Sequence, residues 1–180
     1  MKKINTKTYS LFLIIGMCLI SQTIEAQNIS FIQQIGVFKK LKGDLTTIGV
    51  LSSNLSDKAS DEIQRGSQQL GIKIFIAKPS DIKDVPVMYK TLVSEKKVQF
   101  VWVPTSDDPI LTAFEFLKEN AIPDKIGLCV PNQSLLDQGG LIFVTRDNGK
   151  ITAYVNQKMA AFVGITMPSS DGSSVNFVSK

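Results

Sequence analysis

The stretch Val98–Val130 reads VQFVWVPTSDDPILTAFEFLKENAIPDKIGLCV. It opens on Val98–Val103, an apolar run rich in β-branched and aromatic residues, which reads as a buried strand. A polar cluster follows, Thr105-Ser106-Asp107-Asp108. Pro109–Glu119 then reads as a helix with a clear start: Asp108 is placed to cap it, and Pro109 suits its first turn. Pro123 predicts that this helix goes little beyond Asn120. Lys125–Val130 (KIGLCV) is a second buried strand. Strand, helix, strand in this order predicts two parallel strands joined by a crossover.

The same rhythm extends toward the N-terminus. Thr47–Leu51 (TIGVL) and Ile72–Ala77 (IKIFIA) are strand-like. Between them, Asp57–Leu70 sets Ala59, Ile63, Gly66 and Leu70 on one helical stripe, and Gly71 stops it. Val85–Lys96 sets Val85, Met88, Tyr89 and Leu92 on one face, with Asp84 as the expected N-cap. Phe31, Ile32, Ile35, Phe38 and Leu41 mark an opening helix. Toward the C-terminus, Leu141–Arg146 and Lys150–Val155 flank Asp147-Asn148-Gly149. Asn-Gly accepts the positive φ angles of a tight β-hairpin turn. A short helix, Gln157–Phe162, ends at Gly164. Pro168–Ser174 reads as loop.

The expected fold class is α/β: a single three-layer, Rossmann-like domain over residues 27–168. It has a mostly parallel sheet, helices on both faces and a C-terminal β-hairpin. Residues 169–180 are expected to form a tail.

Residues 1–26 have the order of a secretory signal peptide. Lys2, Lys3 and Lys7 precede the uncharged run Leu11–Ile20, and Ile24-Glu25-Ala26 ends on a small residue. Cleavage is expected between Ala26 and Gln27, which places the mature chain in the periplasm. A membrane anchor fits less well, because a span needs about 20 apolar residues. Losing this segment removes three lysines and one glutamate, so the formal charge falls from +4 to +2. About 150 residues remain, enough for one domain with a proper core. No further span follows. No basic stripe with interleaved aromatics is present, so nucleic acid is not an expected partner.

Cys129 is the sole cysteine of the mature chain and lies in an apolar run, as a buried small hydrophobe does. No intramolecular disulfide is then available. The chain has no histidine. That removes Ser-His and Cys-His nucleophile pairs and the usual zinc sites. No glycine-rich phosphate loop is present, so no cofactor is expected. Nothing in the chain points to an enzyme.

In an open parallel sheet, ligands bind at the carboxyl ends of the strands. Those ends are followed here by Ser52, Ser53 and Asn54; by Thr105, Ser106 and Asp107; and by Asn132, Gln133 and Ser134. Hydroxyls, amides and helix-start N–H groups of this kind suit a small polar ligand. The same residue types are also what helix caps and turns are made of, and Asp108 reads first as a cap.

Two resemblances bear on function. Trp102-Val103-Pro104-Thr105, Ser134–Leu141 (SLLDQGGL) and Val155–Pro168 resemble motifs of periplasmic substrate-binding proteins of ABC transporters, of the tryptophan/tyrosine type, in their C-terminal lobe. That family implies a ligand clamped between two lobes in chains about twice as long. Its D-E-S segment stands here as Asn132-Gln133-Ser134, and Ser106 replaces a frequent acid, so charge is removed from the ligand edge. Gly139–Val144, Asn148–Ile151, Tyr154–Asn156 and Gly164-Ile165 are similar to the ending of YfiR-like proteins. Those are exported single-domain regulators that restrain a membrane-bound diguanylate cyclase. The first resemblance implies a non-enzymatic module that binds a small ligand or a partner protein. The second implies a membrane-protein partner. Either way a single lobe leaves half a cleft open, and a homodimer is a further way to cover it.

Overall fold

A computed structural model describes residues 29–168 and 174–180. The expected signal peptide lies outside them. Three short strands at the centre of the sheet dictate the architecture. β1 (Thr47–Leu51), β3 (Phe100–Trp102) and β4 (Gly127–Val130) are buried almost throughout. A strand buried on both faces needs helices on both faces. Ile48, Val50, Phe100, Trp102 and Cys129 face one layer. Leu51, Val101, Leu128 and Val130 face the other. Period-2 alternation thus splits one apolar run between two cores.

The first layer holds α1 (Phe31–Leu41), α2 (Asp57–Leu70) and α6 (Gln157–Phe162). Phe38 packs edge-on against Phe100 and Trp102, with centroids 6.3 and 5.3 Å away. Gly66 lets α2 approach α1 closely, since a Cβ there would lie 2.9 Å from Ile35. The second layer holds α3 (Val85–Lys90), α4 (Phe114–Asp124) and α5 (Gln133–Asp137). A π-helical turn, Thr91–Glu95, prolongs α3 and buries Leu92. A 3-10 turn, Pro109–Ala113, leads into α4.

The remaining strands are β2 (Lys73–Ala77), β5 (Ile142–Asp147), β6 (Lys150–Val155) and β7 (Val175–Ser179). The seven stand in the order β2-β1-β3-β4-β5-β6-β7. Among the described residues only the β5–β6 hairpin is antiparallel. The expected α/β class, with a mostly parallel sheet and a C-terminal hairpin, is therefore the fold observed. Asn148 and Gly149 take φ of 49° and 77°, as the hairpin turn requires.

Several local expectations are corrected. Asp84 does not cap α3; Asp81 caps a preceding 3-10 turn, Ile82–Asp84, and Asp84 instead accepts from Ser80 and Asp81. Those bonds hold the Asp84 carboxyl below its ordinary pKa. Pro123 lies inside the last turn of α4, and the helix stops at Lys125, whose φ is 55°. The segment expected as a tail contains β7, which pairs in parallel with β6. Val175 and Phe177 turn their side chains to the first core.

Gly127 sits where β3 and β4 press against Leu141. A Cβ there would lie 2.4 Å from a Leu141 methyl and 2.7 Å from the Phe100 ring. Gly127→Ala is expected to lose about 1–3 kcal/mol through overpacking. Urea unfolding checks this, and an unchanged midpoint would show that the core yields there.

Candidate ligand site at the carboxyl edge of the sheet

β1 lies between β2 and β3, so the chain changes direction of travel across the sheet at the β1–β3 boundary. In open α/β sheets the crevice outside the strand ends at such a point is the usual place for a ligand. Here a side chain of the protein fills it. Asp108 is 3% exposed. Its carboxylate accepts from four donors: Ser52 Oγ at 2.5 Å, Ser53 N at 3.0 Å, Ser53 Oγ at 2.7 Å and Ile110 N at 3.1 Å. The last of these is the expected helix cap. The first three tie the loop after β1 to the loop after β3. A buried carboxylate requires such partners.

The nine sequence-predicted residues are therefore placed unequally. Ser52 is fully buried and spends its one hydroxyl proton on Asp108. Ser53 spends its own in the same way. Asn54 Oδ1 lies 3.4 Å from the Thr105 hydroxyl, which donates to it. Ser106 donates to the Pro131 carbonyl at 3.4 Å. Asp107 is exposed on the same loop. Asn132 caps α5 by accepting from Leu135 N. Gln133 donates to Asp137 within α5, and Ser134 accepts from Gln138, the residue that ends it. The structure thus joins the loops after β1 and β3, while the Asn132–Ser134 group bonds within its own helix.

An open volume at this edge is displaced toward β4, β5 and α1. It measures about 570 Å³, and Thr105 and Ser106 line it. Register explains its wall. Val130 ends β4 opposite Phe143, whereas β5 runs on to Asp147. Val144 and Thr145 therefore overhang the end of β4 and line the cavity. The start of α1 closes the opposite side with Ser30, Phe31 and Gln34. Ser30 forms a capping box with Gln33, and Phe31 packs edge-on to Trp102 at 5.7 Å. Glu62 of α2 also lines the cavity and accepts the Phe31 N–H at 2.8 Å.

Sequence reasoning passed over α1 and Glu62 as site elements. A glutamate on the polar side of an amphipathic helix carries no local sign that it meets a residue 31 positions away. Among the described residues, no group of three or more Cys, Asp or Glu gathers as metal ligands do. Cys129 is buried, which pushes its thiol pKa up and keeps it from being a reactive thiolate.

No family model and no curated protein matches the chain. Solved structures do. The ABC domain in complex with L-Trp from Streptococcus pneumoniae is similar with a TM-score of 0.68 at 20% identity, over 78% of this chain and 57% of that one. A conserved domain protein from Vibrio cholerae gives 0.68 at 16%, over 83% and 60%. The ligand-free, open form of a Clostridium difficile substrate-binding protein with adhesive properties gives 0.66 at 16%, over 84% and 60%. The fold is thus shared with substrate-binding-protein-like domains. The chain spans less than two thirds of each of these proteins.

Asp108→Ala strips the acceptor from four donors and removes a helix cap. It is expected to lose about 2–4 kcal/mol. Urea unfolding reads this directly, and a loss below about 0.5 kcal/mol would mean that the loops hold without it.

Proposed function

We propose that this chain is an exported, non-enzymatic binding module, a single lobe of the substrate-binding-protein kind. It holds a small polar ligand at the carboxyl edge of its sheet. The observation that carries this reading is the open cavity of about 570 Å³ at that edge, a size suited to a small molecule. The shared fold supports it. In this reading Thr105 and Ser106 touch the ligand, Asn54 orients Thr105, and Ser52 and Ser53 act through Asp108. Asp107, Asn132, Gln133 and Ser134 belong to the rim.

Export rests on the N-terminal pattern of Lys2 to Ala26. Among the described residues no helix is long and apolar enough to cross a membrane. A second reading uses the same edge for a protein partner, such as the periplasmic part of a membrane signalling protein or a second copy of the chain. It is favoured by the openness of a single lobe, whose cavity no second lobe covers among the described residues.

A thermal-shift screen with amino acids and other small metabolites separates the two readings. A ligand present at 100 times its Kd stabilises by about 2.7 kcal/mol. Thr105→Ala is expected to shrink that shift, and Ser134→Ala to leave most of it. If no compound stabilises the protein, the partner reading takes the site. Export has its own check: the protein recovered from the cell envelope should begin at Gln27, and a chain retaining residues 1–26 in the cytoplasm would end that part of the proposal.

A further inference from the structure

The cavity is lined by hydroxyls, amides and apolar side chains, and by one ionisable residue, Glu62. Among the described residues, no lysine or arginine lines it. The ion pairs among the described residues are Lys42–Asp44, Lys78–Asp57 and Lys118–Glu115, so Glu62 has no cationic partner there. One of its oxygens accepts the Phe31 N–H at 2.8 Å, and the carboxylate is only half-buried. Among the described residues it is the one formal charge lining this cavity.

An anion would need donors, and the obvious ones are spent. The starts of helices are the usual anion sites of such an edge. At α1, Ser30 accepts from Gln33 N, and Glu62 accepts from Phe31 N. At the turn leading into α4, Asp108 takes Ile110 N. At α5, Asn132 takes Leu135 N. Each start has one or two of its N–H groups taken by the chain's own side chains, and at α1 one of those acceptors is a carboxylate. The oxygens of Ser30, Gln34, Thr105, Ser106 and Thr145 are acceptors suited to an ammonium group. Ile29, Phe31 and Val144 give the same cavity an apolar wall.

Resting on the reading of this cavity as the ligand site, we infer that it takes a small organic amine. The ammonium pairs with Glu62 and the hydroxyls, and the hydrocarbon body lies against Phe31 and Val144. Glu62 is then a specificity-determining residue, and its bond to Phe31 N holds it in place between α1 and α2.

Titration calorimetry of the purified protein with three matched probes tests this. They are 2-phenylethylamine (cation), phenylalanine (zwitterion) and 3-phenylpropionate (anion). The amine is expected to bind about tenfold or more tightly than the acid, and to weaken as salt is raised. Glu62→Gln removes the charge but keeps an oxygen for the Phe31 N–H, so the fold is retained. It should weaken the amine by about tenfold or more. Equal binding of the acid, or unchanged amine binding by Glu62→Gln, overturns the inference and leaves the ligand site standing. Failure of all three probes and of every metabolite in the wider screen overturns both.

Discussion

A carboxylate taken out of water must find its hydrogen bonds inside the protein, and Asp108 finds four. It does so across the boundary where β1 and β3 lie side by side. The backbone of each strand is already paired on both sides within the sheet, and Ser52 N still reaches the Ala77 carbonyl, but the bonds between the loops after β1 and β3 rest on side chains. Asp108 belongs to the loop after β3 and reaches the loop after β1. The same carboxylate starts the turn into α4. One residue thus fixes two loops and a helix start, and it occupies the crevice that this topology leaves for a ligand. The open volume is then found one strand further along, over the end of β4.

That displacement marks what the sequence could and could not convey. The central strands were legible because burial on both faces leaves a nearly unbroken apolar run, as in Val98–Val103. Asp108 was legible as a cap because Asp-Pro at a helix start has a local mechanism. The hairpin was legible because Asn148-Gly149 accepts left-handed backbone. In each case the signal and its consequence lie within a few residues. Asp81 and Asp84 show where this ends. Both acids can cap, and only the path of the chain decides between them. Pro123 shows it again: it gives up one N–H bond inside the last turn of α4, yet the chain leaves the helix only at Lys125. β7 was hidden behind the loop-like run Pro168–Ser174 that precedes it, although Val175 and Phe177 alternate toward the core. Glu62 and the start of α1 were hidden for a stronger reason. Their contact spans 31 positions, and nothing in either segment announces the other.

The reversal of direction at β6 limits the site. β1, β3, β4 and β5 run in parallel, so all send their carboxyl ends to one edge. β6 returns, and β7 pairs with it in parallel, so both end at the opposite edge. Among the described residues, none after β6 lines the cavity. The outer part of the hairpin is polar on its second face: Tyr154 donates to Asp147 at 2.6 Å, and the Lys180 ammonium lies 5.3 Å from the Tyr154 ring. The bond to Asp147 raises the Tyr154 pKa. A face of this kind needs no helix to cover it. The hairpin therefore serves the site as an overhang, through Val144 and Thr145, and not as a further source of loops.

Charge at this edge follows from how the helices begin. A helix start exposes N–H groups and the positive end of its dipole, so a bare start draws anions. A start capped by a neutral side chain loses donors but keeps the dipole. A start capped by a carboxylate loses both attractions and adds a negative charge. α1 has the last arrangement, since Glu62 comes from another helix to accept the Phe31 N–H. The turn into α4 has it too, through Asp108, but that charge is buried among four donors and faces no ligand. Of these two carboxylates, Glu62 leaves its charge at the wall of the cavity and Asp108 does not. The same act of capping that fastens α1 to α2 thereby sets the sign of the field a ligand meets.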